Sequence, residues 1–158
     1  MVSNGEKVYI GTTRFTNATF EENRAWRKKH KWKGCIYGLN KKMPICIPHM
    51  GLVYVVEMNN DENRIEGIGL VRNYINLDYK TCLYTSDRNY NRYIYNSEYR
   101  KDRKDIGSLK MLEILEIILF KGSGHYKRGQ GITTINLSKL SDTNKRVLGS
   151  FFDGLFKL

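Results

Sequence analysis

Hydrophobic residues concentrate in one stretch near the middle of the chain. Residues 52–58 are apolar except for Glu57, and their valine and tyrosine content is typical of a strand that is buried on both faces. Residues 59–63 are rich in Asn and Asp, which tolerate turn geometry, so they predict a hairpin loop. Residues 64–74 then return as the partner strand. We expect the rest of the chain to be organised around this hairpin.

The return strand contains two glycines and its partner contains a carboxylate, which are unusual residues for buried strands. Gly67 and Gly69 alternate along the strand, so both leave the same face without a side chain. Either a neighbouring aromatic side chain fills that gap, or a flat ligand approaches the backbone there. Glu57 is unusual because burying an unpaired carboxylate is costly. We expect it to accept from a base edge or from a guanidinium such as that of Arg72.

Weaker patterns predict further elements on both sides of the hairpin. Thr16 or Asn17 can cap a helix that ends near His30, and Ser108 can cap a mostly apolar helix that Gly122 ends. The remaining predictions are strands at residues 7–13, 79–85, 90–96 and 132–137, short extended segments at 35–37 and 43–47, a basic loop around 100–104, and an amphipathic helix at 141–158.

These elements predict one α+β domain. The chain has 158 residues with no internal repeat and no dividing linker, which suits a single core. We expect a curved or barrel-like mixed β-sheet packed by about three helices, with the domain spanning residues 1–158. The residues expected to meet in the core are Val53, Val55, Ile68, Leu112, Leu115 and Ile118.

The charge balance narrows the choice of partner. The chain carries a formal net charge of +11, and a polyanion is the usual partner of so basic a protein. We therefore expect DNA or RNA, with protein partners in a larger assembly as a second possibility. No apolar stretch reaches the roughly 20 residues that cross a bilayer, so no membrane partner is expected.

The cysteines indicate a reducing compartment. Cys35, Cys46 and Cys82 are odd in number and form no CxxC pair, which predicts reduced thiols and an intracellular protein, in cytoplasm or nucleus. His30, Cys35, Cys46 and His49 have a spacing that a zinc ion could accept, although only the last two are closely spaced. The alternative is that the cysteines are small buried residues of strands with no bound metal. No nucleophile motif is present, so we expect no catalytic residue, metal or cofactor.

A basic run with interleaved aromatics is the strongest binding signal. Trp32 lies within it, and bases stack on aromatic rings while phosphates need cations. A solvated face is the alternative interpretation of such a run. Lys127 and Arg128 in the glycine-rich segment 121–131 are expected to contact phosphate, and Tyr93 is expected to add stacking. The cations predicted in the run are Arg24, Arg27, Lys28, Lys29, Lys31 and Lys33.

The element order resembles that of the PUA-like superfamily, most closely its EVE and YTH branches. The similarity covers about residues 7–96 and includes VYVVEMNN and RIEGIGLV, which look like the family's hairpin with a Gly-x-Gly strand. Because those branches read modified bases in DNA or RNA, the resemblance implies a base pocket lined by Trp32, or less closely by Trp26, and by Tyr74. Thr12, Thr13 and Arg14 replace the lysine that opens many such strands, so the details of base recognition stay open.

Composition adds a second resemblance. Asn, Ile, Lys and Tyr are abundant while alanine is scarce, as in the AT-rich genomes of some large DNA viruses, and the chain looks like proteins of such viruses. The sequence therefore predicts a non-catalytic nucleic-acid-binding domain that reads a flipped or modified base. The alternative is a basic structural or interaction protein, for example a viral particle component that neutralises DNA or an acidic partner; a virion would then be its location.

Overall fold

The hairpin predicted at the centre of the chain lies at the centre of the main sheet. The computed structural model describes residues 2–3, 5–77 and 82–156. Its helices and strands, in chain order, are β1 (Val2–Ser3), β2 (Glu6–Phe15), α1 (Asn17–Lys29), β3 (Cys35–Leu39), β4 (Leu52–Asn59), β5 (Arg64–Arg72), β6 (Tyr93–Ser97), β7 (Tyr99–Asp102), α2 (Leu109–Phe120), β8 (Thr133–Thr134) and α3 (Asp142–Asp153).

The main sheet is mixed and open. Its strand order is β1-β2-β4-β5-β7, with β8 beside β2. β2 and β4 are parallel, whereas β4–β5 and β5–β7 are antiparallel. β3 and β6 form a separate antiparallel pair. The α+β prediction with three helices is confirmed for the described residues, but the sheet is not closed into a barrel.

Both faces of the sheet are covered, which explains why β4 is apolar almost throughout. α2 and α3 pack on the face that carries Tyr54 and Ile68, while α1 and the β3–β6 pair pack on the face that carries Val53 and Val55. Leu115 meets Ile68 in the first cluster, as predicted. The prediction that Val53 and Val55 join them is wrong, because alternate residues of a strand point to opposite faces.

Local side-chain caps begin the helices at the predicted places. The Thr16 hydroxyl accepts from the Thr19 amide, and Thr19 in turn accepts from the Thr16 amide, which forms a capping box at the start of α1. Ser108 accepts from the amide of Met111 at the start of α2. Gly122 follows α2 with a φ of +76°, a left-handed conformation that favours glycine.

Two segments predicted as strands are loops. Residues 43–47 form turns, in which the Ile47 amide donates to the carbonyl of Pro44 over 3.0 Å. Of the strand predicted at 79–85, residues 79–81 lie outside the described residues and 82–85 are not in a strand. The amides of Leu83 and Tyr84 instead donate to the side chain of Asn91, each over 2.9 Å.

The other differences concern boundaries and two strands that were not predicted, β1 and β7. The basic segment predicted as a loop is β7 followed by a 3₁₀ turn, Arg103–Asp105. β6 begins at Tyr93 because a 3₁₀ helix, Arg88–Asn91, precedes it. Only Thr133 and Thr134 of the predicted strand 132–137 pair with the sheet. The last helix ends at Asp153 rather than at residue 158.

Candidate functional site

A cavity of about 260 Å³ lies where β2 ends and α1 begins. Phe15, the last residue of β2, and Asn60, which follows β4, both line it. The Asn60 amide donates to the Phe15 carbonyl over 2.8 Å, which holds the two strand ends together. The carboxyl ends of parallel strands are where open α/β sheets usually bind ligands. The position of the cavity therefore marks it as the candidate site.

Four aromatic residues contribute to the cavity wall. Phe15, Tyr37, Tyr84 and Tyr90 line it, and Tyr84 and Tyr90 meet edge to face with ring centroids 6.4 Å apart. The Tyr84 hydroxyl accepts from the side-chain amide of Asn23 over 3.1 Å. Burial raises the pKa of Tyr84 well above its usual range, so the phenol stays neutral at any physiological pH. The wall thus offers flat, uncharged surfaces on which a planar ligand could stack.

A glycine in β3 allows the wall to close. A Cβ added to Gly38 would lie 3.1 Å from the Tyr84 ring and closer still to the Tyr90 carbonyl oxygen. Any side chain at residue 38 would therefore push Tyr90 away from the cavity. This close approach accounts for a glycine within an otherwise apolar strand.

The back wall rests on a buried ion pair. The Tyr37 hydroxyl donates to Glu57 over 2.8 Å, and the Arg100 guanidinium donates to both oxygens of the same carboxylate over 3.0 and 2.7 Å. Burial disfavours the charged guanidinium, but Glu57 outweighs this and raises the pKa of Arg100. Burial, and then the Glu57 charge, raise the pKa of Tyr37. Glu57 is therefore paired with Arg100. The predicted pairing with Arg72 is wrong.

Arg72 has a different partner because it lies opposite Leu52, at the other end of β4 from Glu57. It donates to Glu6 over 2.9 Å and to the Met50 carbonyl over 2.8 Å. The pairing of Arg100 became possible because residues 99–102 form a strand beside β5. The residue pattern at 99–102 did not predict that strand.

Gly67 and Gly69 make room for this ion pair. A Cβ on Gly67 would lie 2.6 Å from Arg100 Nη2, and one on Gly69 would lie 2.7 Å from Cys35 Sγ and nearer still to the Tyr37 hydroxyl. Of the two explanations for the glycines, the packing of neighbouring side chains is therefore correct. The ligand-binding alternative does not apply to this face, because Tyr37 and Arg100 already occupy the gap.

The cavity is bordered by cations, and no carboxylate lines it within the described residues. Arg14 lines it and is exposed. Lys41 lies beside it, because a Cβ on the lining residue Gly131 would be 3.2 Å from the Lys41 side chain. The Lys127 carbonyl accepts from the side-chain amide of Asn60 over 2.9 Å, so the glycine-rich loop also adjoins the cavity. An anionic group would be attracted to this border.

The cations predicted in the basic run lie at the far end of α1 from the cavity. Arg24, Lys28, Lys29, Lys31 and Lys33 are exposed, and Arg24 is paired with Glu21 at 2.6 Å. The cavity lies at the first turn of α1, whereas Lys28 and Lys29 lie in its last turn. The structure therefore separates the cations of the basic run from the cavity.

Arg27 differs from the other members of the run because it turns inward. Its Nε donates to the Asn23 side chain over 2.9 Å, and its Nη2 is buried with no hydrogen-bond partner among the described residues. Burial, and then repulsion from Arg100, lower the pKa of Arg27. Its predicted contact with phosphate stays a prediction.

The two tryptophans lie outside the cavity lining. Trp32 is half-buried against the core, and its indole N–H donates to the Cys35 carbonyl over 3.0 Å. Trp26 is a core residue whose ring stacks on His30 with centroids 4.1 Å apart. The aromatic that reaches the cavity from this part of the chain is Tyr37, a few residues later. Base stacking by Trp32 stays a prediction.

Tyr74, Tyr93 and Arg128 occupy the surface away from the cavity wall. Tyr74 is 54% exposed and borders a separate apolar groove. Tyr93 is half-buried, with Lys42 Nζ 5.9 Å and the Arg92 guanidinium 5.6 Å from its ring centroid. Arg128 is exposed and follows Lys127 in the loop that adjoins the cavity. Their predicted contacts with nucleic acid stay predictions.

Sequence reasoning missed Tyr84, Tyr90 and Arg14, and it did not place Lys41 beside a pocket. Tyr84 and Tyr90 lie in loop and 3₁₀ segments, where no periodicity indicates the direction of a side chain. Arg14 follows a buried strand residue, and Lys41 was one of many lysines. A signal did exist in the pair Tyr37-Gly38, an aromatic beside a glycine in a short strand, which is typical of close backbone approach.

The described residues contain neither a metal cluster nor a membrane span. No group of three or more His, Cys, Asp or Glu is arranged to hold a metal ion in the described residues, and Cys35 is buried whereas Cys46 is exposed. No described helix is long and apolar enough to cross a bilayer. No protein-family model, no curated protein and no solved structure matches the chain.

Proposed function

We propose that the chain is a non-catalytic nucleic-acid-binding domain that holds one unpaired base in the aromatic cavity. The observation that carries the proposal is the cavity itself, with its aromatic wall and its cationic border. Its volume of about 260 Å³ is just below the roughly 300–1,000 Å³ of pockets that enclose drug-sized ligands. A single base is a ligand of that smaller size.

The chemistry of the site supports a base with its backbone outside. A base presents a π-face that can stack on Phe15, Tyr84 or Tyr90, while Arg14 and Lys41 attract the phosphates at the border. Since a paired base is stacked within its duplex, the base must come from a single strand or be flipped out. The resemblance to PUA-like base readers implies the same class of function, but through Trp32 and Tyr74, neither of which lines this cavity.

The lining supports binding rather than catalysis. Its described residues are Thr, Arg, Phe, Tyr, Gly, Leu and Asn, so they include no His, Cys or carboxylate to act as nucleophile or general base. The Thr16 and Thr19 hydroxyls there hydrogen-bond to each other over 3.2 Å. We therefore assign no catalytic residue to the site.

The test uses Tyr90→Ala and a base-free ligand. Mixed-sequence single-stranded DNA and RNA oligonucleotides are compared with an abasic polymer of the same length, which keeps the phosphates and removes the bases. Stacking on one aromatic contributes roughly 1–3 kcal/mol that added salt does not remove. Tyr90→Ala should therefore lower affinity for the oligonucleotides at every salt concentration while affinity for the abasic polymer stays unchanged.

Two further variants separate binding from folding. Tyr90→Phe keeps the ring and should bind like the parent protein. Tyr99→Ala removes a tyrosine that is 43% exposed and contacts Phe156 in the cluster on the opposite face of the sheet, so it is a matched control. A parent protein that binds the abasic polymer as tightly as the oligonucleotides would refute the proposal.

A second candidate function is a structural or interaction protein with an acidic partner. The observation that favours it is an apolar groove of about 600 Å³. Ile45 is fully exposed there and Leu77 is 83% exposed. Among the described lining, Lys42 and His49 are the basic residues and no residue is acidic. Exposed apolar patches often mark protein contacts. Equal affinity for oligonucleotides and abasic polymer would favour this second function.

A further inference from the structure

A strongly basic surface lies at the opposite end of α1 from the cavity. We call this surface the distal basic patch. It consists of four exposed lysines, Lys28, Lys29, Lys31 and Lys33. The cavity is lined by Thr16 and Thr19 at the beginning of the helix. α1 has 13 residues, which at about 1.5 Å per residue place the distal basic patch about 20 Å from the cavity.

Both carboxylates of α1 between the two regions are held by other side chains. Glu21 is the exposed carboxylate of α1, and it is paired with Arg24 at 2.6 Å. The other carboxylate of the helix, Glu22, accepts from the hydroxyls of Thr85 and Ser86, each over 2.8 Å. Arg24 therefore neutralises Glu21, whereas Glu22 keeps its charge and has both oxygens occupied by hydroxyl donors.

We infer that the preferred ligand is a single-stranded polynucleotide that runs along α1, with one base in the cavity and its distant phosphates on the distal basic patch. The inference rests on the proposed function, because the cavity fixes one end of the strand. It adds a substrate class, since mononucleotides and very short oligonucleotides cannot reach the patch. The two regions then act as one bipartite site.

The separation sets a length threshold. The rise of about 1.5 Å per helical residue gives the separation of about 20 Å. A stacked strand advances about 3.4 Å per nucleotide, so it needs about six nucleotides to cross that distance. A more extended strand needs fewer. Affinity should therefore rise stepwise with length once the strand reaches the patch, and the salt dependence should steepen at the same length.

The experiment measures affinity against oligonucleotide length and salt concentration. Mixed-sequence single strands from dinucleotide to dodecanucleotide are titrated into the full chain and into a variant in which all four lysines of the distal basic patch are replaced by glutamine. The matched control variant carries the same charge change on the α2 and α3 side of the sheet, where the exposed lysines replaced by glutamine are Lys104, Lys110, Lys139 and Lys145.

The expected result is a length-dependent loss. Each phosphate contact on a single strand contributes about 0.7 to the slope of log affinity against log salt, so the patch variant should flatten that slope by roughly two to three units for the longest oligonucleotides. It should leave the shortest ones unchanged, and the control variant should bind like the parent at all lengths.

Other outcomes overturn the inference or the function separately. A loss that is equal at all lengths, or equal in the two variants, would mean that overall charge acts without a bipartite site. That result would overturn the inference even if Tyr90→Ala still lowered the preference for bases. If Tyr90→Ala changed nothing, the base-binding function itself would fail, whatever the length series showed.

Discussion

Gly69→Ala should destabilise the protein strongly, because the new methyl group has no space. The added Cβ would lie 2.7 Å from Cys35 Sγ and 2.9 Å from Cys35 Cβ, and closer still to the Tyr37 hydroxyl. Tyr37 is a rigid, fully buried ring, so it must move as a whole. Its movement would break the hydrogen bond to Glu57, which measures 2.8 Å.

The magnitude follows from two contributions. Overpacking a close-packed core costs about 1–3 kcal/mol. Losing a buried hydrogen bond to a charged group costs about 1.5–3 kcal/mol. We therefore expect Gly69→Ala to lower the free energy of unfolding by about 3–5 kcal/mol, a large part of the total stability of a domain of this size.

Urea denaturation with a matched glycine gives the measurement. At Gly107 an added Cβ would meet nothing within 4 Å, so Gly107→Ala should change stability little or raise it by about 0.4–1 kcal/mol. In a Tyr37→Phe background the cost of Gly69→Ala should fall, because one of the clashing atoms is gone, but Cys35 still prevents full recovery. Equal effects of the two alanine substitutions would refute the reasoning.

Two further predictions concern the core and the thiols. Leu115 is 1% exposed, so Leu115→Ala should lower the free energy of unfolding by about 2–5 kcal/mol. Ile117 on the same helix is 55% exposed, so Ile117→Ala should lower it by about 0.5 kcal/mol or less. Equal losses in urea denaturation would contradict the fold. Burial raises the pKa of Cys35 to about 11. A thiol reagent at mildly alkaline pH should therefore label Cys46 and Cys82 in the native protein, and Cys35 only after unfolding. Rapid labelling of Cys35 would contradict its burial.

The elements that the sequence predicted well are those whose signals are local. The hairpin of β4 and β5 follows from an apolar run, a polar turn and a second apolar run, all within neighbouring residues. The start of each main helix follows from a capping side chain, such as Thr16 or Ser108, within three residues of its amide partner. Such interactions are visible without knowledge of the fold.

β7 was missed because the partner of its central charge is distant in sequence. Arg100 belongs to a segment rich in Arg and Lys, which indicates a solvated loop. In the structure its side chain is buried against Glu57, which is 43 residues away. A charged residue becomes compatible with a buried strand only once that partner is in place.

The cavity could not be predicted for a related reason. Phe15, Tyr84 and Tyr90 come from a strand end, a loop and a 3₁₀ helix. Tyr84 and Tyr90 reach the cavity only through tertiary contacts with α1 and β3. Two tryptophans within the basic run were the stronger sequence signal, but Trp26 is used in the core. Charge alone indicated a polyanion without indicating where it binds.

The most direct measurement of the central claim is a crystal structure of the chain with a short single-stranded oligonucleotide. We expect one base inside the cavity, stacked on at least one of the rings of Phe15, Tyr84 and Tyr90, with the adjacent phosphates beside Arg14 or Lys41. An oligonucleotide bound only along the lysines of α1, with no base in the cavity, would contradict it.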